Sequence, residues 1–312
     1  MAYFIFMKKL WFLGFVACVL IAGLAAYIAA NLLIQAELPS LPKIVVSKPL
    51  FSDAEIAAIA PHRALYKIEM VQKGSSSQVL DISGRMYFEW KPSCEDAWST
   101  NHRFDLLYEY ADSPQLRITS SFTTYEGVTG ESFDFNSRRR KDNEIYEELR
   151  GHAGMTANGG QAVYSLPADL KFDLPKGTLF PMAQTLAVLR AAHEDKKFFR
   201  ATIFDGSDAE GPVEVNTFIG AQVNALSRIT PAPSIDNALV NGPARLVRLA
   251  FFPLNNADPD SDYEMNMVLQ DNGVISDMRV DYKDFSVTQK LIGLEPVSPE
   301  ACGGGRDPAK LP

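Results

Sequence analysis

Residues 263–282 read YEMNMVLQDNGVISDMRVDY. Tyr263, Met265, Met267 and Leu269 alternate with Glu264, Asn266 and Gln270, and a second alternating run, Val274–Tyr282, follows Asp271, Asn272 and Gly273. Alternation with a period of two sets apolar side chains on one face of an extended chain and polar ones on the other. Asn-Gly between two such runs favours a tight turn, because both residues tolerate positive φ. The two runs are therefore expected to pair as antiparallel strands.

The same pattern recurs upstream. Ile82, Gly84, Met86, Phe88 and Trp90 share one face of a run whose other face carries Arg85 and Glu89. His102, Phe104, Leu106, Tyr108 and Tyr110 alternate against Arg103, Asp105 and Glu109. Similar runs occupy 116–122, 131–136, 198–204, 213–219 and 245–252. Many short alternating segments indicate an all-β protein with few helices. Ser52 is a good N-cap for a short helix over 53–60, which Pro61 ends. A longer helix starts near Pro181. Met182, Leu186, Leu189 and Ala192 recur at helical spacing, and His193, Lys196 and Lys197 follow where they complement the helix dipole. Its apolar stripe is expected to close one side of a sheet or barrel. Segments 150–162 and 230–243, rich in Gly, Ala, Asn and Pro, read as loops.

The start of the chain speaks for export. Lys8 and Lys9 precede an uncharged apolar run from Leu10 to Ala30, long enough to be a signal peptide or to span a bilayer as an anchor. Either way the lysines remain on the cytoplasmic side and the body lies beyond the membrane, in the periplasm. The expected organisation is a signal peptide or membrane anchor over 1–36, a linker over 37–51, a single domain over 52–302 and a tail over 303–312. The chain of 312 residues has a net charge of −8, and loss of residues 1–36 removes two lysines and no acid, leaving −10. An acidic body argues against a nucleic-acid partner. Of three cysteines, Cys18 lies in the apolar run. Cys94 and Cys302 remain, and an oxidising compartment favours one intramolecular bridge between them over free thiols or a bridge between molecules.

No catalytic signature is present: the chain has no Gly-x-Ser-x-Gly elbow, no phosphate-binding Walker loop and no His-Glu-x-x-His. His62, His102, His152 and His193 are isolated, and His102 sits on the apolar face of its strand as a core residue would. Asp258, Asp260, Asp262 and Glu264 alternate as calcium ligands can, but Tyr263 and Leu269 stand where such a loop needs glycine and glutamate, so a solvated turn is expected. No metal, cofactor or catalytic residue is assigned. The basic run Arg138–Lys141 has the charge to meet anionic headgroups or a partner's acids, but four charges read first as a solvated polar loop, since such binding usually takes a longer cluster.

Several stretches together resemble the EipB family of cell envelope integrity proteins. They are Ala60–Tyr66 (APHRALY), Gly84–Trp90 (GRMYFEW) with Cys94 close behind, Leu174–Pro181 (LPKGTLFP), Phe204–Ser207 (FDGS), Asp262–Met265 (DYEM), and Cys302 after Pro299. The resemblance covers roughly residues 55–302. It implies a periplasmic β-spiral, in which a long antiparallel sheet curls into an open barrel-like body, with a structural disulfide at Cys94 and Cys302. Its general shape is similar to that of periplasmic lipoprotein carriers, which hold acyl chains in an apolar cavity. The implied function is non-enzymatic support of the envelope through an envelope protein or a lipid-like ligand. The alternatives are a lipid or lipoprotein carrier and, from another class, a hydrolase whose site assembles from distant residues.

Overall fold

The structure is a computed structural model and describes residues 50–75, 77–93, 96–254 and 260–298. Among them, fourteen strands form one antiparallel sheet. The first eight are β1 (His62–Lys73), β2 (Val79–Ser93), β3 (Ala97–Tyr110), β4 (Leu116–Gly127), β5 (Ser132–Lys141), β6 (Glu144–Thr156), β7 (Gly159–Leu166) and β8 (Lys171–Leu174). The remaining six are β9 (Phe198–Ile203), β10 (Val213–Asn224), β11 (Pro243–Pro253), β12 (Tyr263–Gln270), β13 (Ile275–Tyr282) and β14 (Phe285–Pro296). The spatial order is β8-β7-β6-β5-β4-β3-β2-β1-β14-β13-β12-β11-β10-β9. The helices are α1 (Asp53–Ala57), α2 (Pro181–His193) and α3 (Asn237–Val240).

The expected hairpin forms: Tyr263 pairs with Tyr282, Met265 with Val280 and Met267 with Met278. Its turn differs in detail. Gly273 alone takes positive φ, at 83°, while the Asn272 side chain accepts from the Val274 amide and donates to the Leu239 carbonyl. A Cβ on Gly273 would come within 2.8 Å of the Trp90 ring, so close packing as well as φ selects glycine.

Segment 150–162 is not a loop. It supplies the end of β6 and the start of β7. Its small residues answer to packing: a Cβ on Gly151 would meet the Phe135 ring at 2.4 Å, and one on Gly160 would meet the Gly154 carbonyl at 2.1 Å. Arg138–Lys141 likewise belongs to a strand, the last turn-ward residues of β5. Segment 230–243 is largely irregular, as expected, with α3 inside it.

The curled sheet wraps α2. Met182, Leu186, Val188 and Leu189 of this helix are buried with Trp90, Trp98, Val215, Ile219 and Val247 in the main core. That contact identifies the inner face of each strand. A second cluster lies under β5–β8, where Phe133, Phe135, Tyr164, Phe180 and Phe204 are buried ring against ring. The sheet's two edge strands, β8 and β9, do not pair. Leu179 instead bridges Ile203 in parallel, and the loop between β9 and β10 reaches over the second cluster. There Gly206 sits against Phe135, Tyr164 Oη donates to the Asp208 carbonyl at 2.7 Å, and Arg139 donates to the Ser207 carbonyl at 2.9 Å.

Phe51, assigned to the linker by the sequence, is buried in the main core under the Arg190 guanidinium. Ser52 and Glu55 then form a capping box on α1, and Glu55 also pairs with Arg190 of α2. The Arg190 hydrogen bonds, with help from Ser52, hold the Glu55 carboxyl down to about 2. Ser52→Ala is expected to cost about 1 kcal/mol, read as a fall in the thermal midpoint. An unchanged midpoint would show that Arg190 alone fixes α1.

Candidate functional site

Inward-facing side chains of the middle strands build the site. Register aligns Phe88 of β2, His102 of β3 and Phe122 of β4 in one row across the sheet, and Met86, Phe104 and Ser120 in the next. A third row places Leu106 beside Ile118. Phe88, Phe104, Leu106, Ile118 and Phe122 face inward yet are only half-buried. Residues further along the same strands toward α2, such as Trp90 and Trp98, are fully buried. One end of the curled sheet is thus filled by the helix and core, while the middle keeps an apolar concave wall with residual access.

The other end carries an aromatic rim. Tyr108 stacks near Tyr110, Phe251 stacks on Tyr263 with ring centres 4.3 Å apart, and Tyr282 leans on Phe285 at 4.9 Å. Tyr146 and Tyr282 are 53% and 44% exposed, which places them where the wall meets water. Burial pushes the Tyr108 hydroxyl up to about 12 and raises that of Tyr263, so both stay neutral. Tyrosine suits such a rim because its ring offers apolar surface and its hydroxyl keeps a polar contact. An apolar wall behind a neutral aromatic mouth can accommodate an alkyl chain or an apolar side chain.

The four histidines of the described residues stand apart from one another. His102 lies 4.8 Å from Phe88 and 5.8 Å from Phe122 between ring centres. Burial drives its imidazole down to about 4, leaving a neutral and weakly basic ring. His62 is fully buried; Nδ1 shares a 2.8 Å hydrogen bond with the Ala60 carbonyl, and desolvation lowers its pKa. His152 meets Asp134 at 2.9 Å, and His193 meets Asp271 at 3.2 Å, both exposed. Among the described residues no serine, threonine or cysteine is hydrogen-bonded to a histidine ring. Nor do three or more His, Cys, Asp or Glu side chains converge as metal ligands there. Glu264 of the alternating acidic stretch is bound to Arg248, while Asp258 lies outside the described residues. Cys94 and Cys302 also lie outside them.

One group escaped sequence reasoning. Glu126, at the end of β4, is buried, and both its carboxyl oxygens accept backbone amides from the first turn of α2, Met182 and Ala183, each at 2.8 Å. Phe180 precedes that helix and offers no side-chain cap. An apolar N-cap before Pro181 was the only local hint that a cap had to come from elsewhere.

Comparisons with known proteins agree with this geometry. The model of the EipB-like family matches residues 53–298. The chain is similar to the cell envelope integrity protein EipB of Brucella abortus (strain 2308), with 30% identity over 251 residues, covering 78% of this chain and 86% of that protein. It also resembles the crystal structure of a β-barrel-like protein of a domain of unknown function from Brucella abortus. That match has a TM-score of 0.69 and 28% identity, and covers 77% of this chain and 99% of the other.

Proposed function

The chain belongs to the EipB-like family, and from that premise we propose that it is an exported, non-enzymatic factor that maintains the cell envelope by holding a lipid-like ligand against the inner face of its sheet. The carrying observation is the row of half-buried inward residues, Phe88, Phe104, Leu106, Ile118 and Phe122, in a sheet whose other end is packed solid. An apolar surface that faces inward and stays partly wet is where a chain of methylenes gains most, roughly 0.8 kcal/mol for each one buried. The name of the Brucella relative supports the envelope role. The apolar segment at Leu10–Ala30 supports export to the periplasm or tethering at the inner membrane.

Two measurements test this. Deleting the gene is expected to increase sensitivity to detergents and cell-wall antibiotics; unchanged sensitivity counts against the envelope role. Native mass spectrometry of the protein taken from the envelope is expected to show a copurifying lipid, reduced in Phe104→Asp. Lipid-free protein, with Phe104→Asp fully active in the deletion strain, would redirect the reading to a protein partner.

A further inference from the structure

The outer face of β3–β5 carries a basic groove that the inner-face reading leaves unused. Arg103 of β3 stands directly opposite Ser121 of β4, which stands opposite Arg138 of β5. One step along, Thr119 of β4 stands opposite Arg140. These residues alternate with the inward Phe104 and Ser120, so their side chains project outward. Adjacent strands lie about 4.8 Å apart, so Arg103 and Arg138 flank Ser121 across roughly 10 Å. Together with the strand segments at Phe104 and Ser120 they line a groove of about 510 Å³ with no carboxylate in its wall.

The nearby acids are already engaged. Asp105 takes both Arg117 nitrogens, Glu89 accepts from Tyr87, and Glu148 accepts Arg138 Nη2 at 2.6 Å. The Glu148 carboxyl is held low first by Arg138, with Arg150 and Arg140 also contributing. Arg103 lies over the Tyr87 ring, its guanidinium carbon 6.0 Å from the ring centre. Neither Arg103 nor Arg140 has an ion pair among the described residues. Arg138 Nε is enclosed and donates to nothing. A buried donor without an acceptor costs about 1–3 kcal/mol, so Glu148 does not satisfy the whole Arg138 guanidinium.

We propose that this groove binds a phosphate ester, its oxygens taken by Arg103, Arg138 and Arg140 with Ser121 and Thr119 donating from the floor. Planar guanidinium forks match phosphate oxygens in pairs. Donors on three sides suit a tetrahedral anion better than a flat carboxylate, which one fork satisfies. The net charge of −8 repels an extended polyanion, so a single phosphate group is the better fit for a basic island on an acidic chain. This site is independent of the inner face.

Titration calorimetry with glycerol 3-phosphate, and cosedimentation with phosphatidylcholine vesicles with and without phosphatidic acid, would test it on the full chain. Binding is expected in one arm or both: the soluble arm identifies a free phosphate ester, and a response to phosphatidic acid alone identifies a lipid headgroup. Arg103→Gln with Arg140→Gln should weaken it by at least about 10-fold. Arg103→Lys, which keeps the charge and loses the fork, should weaken it less. Arg200→Gln with Arg248→Gln, on paired arginines of β9 and β11, should not change it. The site is overturned by binding in neither arm, by a groove variant that binds like the wild type, or by an equal loss in the control.

Discussion

Replacing Glu126 with alanine is expected to lower the thermal midpoint by roughly 6–12 °C, from a loss of about 3 kcal/mol at about 2–4 °C per kcal/mol for a domain of this size. Two helix amides, Met182 and Ala183, would lose their acceptors inside the core, and the vacated volume would add to the cost. Glu126→Gln keeps the shape and one acceptor, so it should cost less. The glutamate also makes stability depend on pH. Burial pushes its carboxyl up to about 8, against the pull of the two amides, from an ordinary value of 4.5. The folded state therefore holds a proton that the unfolded chain has released. Its stabilising contribution is complete below about 4.5 and falls away as pH rises toward 8. The buried His62 and His102 act in the opposite sense below 6.5, because folding disfavours their charged forms. The diagnostic quantity is thus the difference between wild type and Glu126→Gln, which should shift in favour of the variant from pH 5 to pH 8. A constant difference would mean that the carboxyl is ionised throughout, held by the helix amides.

The second large effect concerns Cys94 and Cys302. β2 ends at Ser93 and β14 at Pro296, and both flank β1 at the same end: His62 pairs with Trp90 on one side and Pro296 on the other. Strands one apart from a shared neighbour lie roughly 10 Å from each other; Cys94 and Cys302 themselves lie outside the described residues, and the bridge between them is the expected case. Such a bridge would close a loop of roughly 210 residues, for which the chain-entropy model gives about 5 kcal/mol as an upper figure. Cys94→Ser should lower the thermal midpoint and abolish the mobility difference between oxidised and reduced protein on a denaturing gel. Equal midpoints with and without reductant would falsify a stabilising bridge.

Alternation along single strands was legible because burial on one side writes a period of two into the residues; β13 and the 215–219 part of β10 follow it residue by residue, whereas β12 is buried on both faces from Met267 to Gln270. Parts of β6 and β7 were hidden because Gly151 had to be small to fit against Phe135 and Gly160 to fit against the Gly154 carbonyl, and composition then imitates a loop. The resemblance to the family carried the open, barrel-like form, which periodicity alone does not encode. The inner wall was visible as apolar positions, but not as half-buried ones, since exposure depends on what the far side of the curl supplies. Glu126 was invisible for a related reason: it meets α2 across more than fifty residues of chain. The arginines of β5 read as a solvated run until their register with Arg103 was known.

The order of strands has one more consequence. Read from β9 through β14 and on from β1 to β8, the sheet is an unbroken meander. The natural chain is a circular permutation of that meander, cut between β14 and β1, and the Val297 amide still donates to the Pro61 carbonyl across the cut at 3.0 Å. All neighbouring strands but that one pair are consecutive in sequence. A chain made from its N-terminus can form β1–β8 first, but the β1–β14 seam must wait for the last strand. Joining 297 to 61 through a short linker and opening the chain before β9 would make every strand pairing local, and such a permutant is expected to fold faster than the natural order.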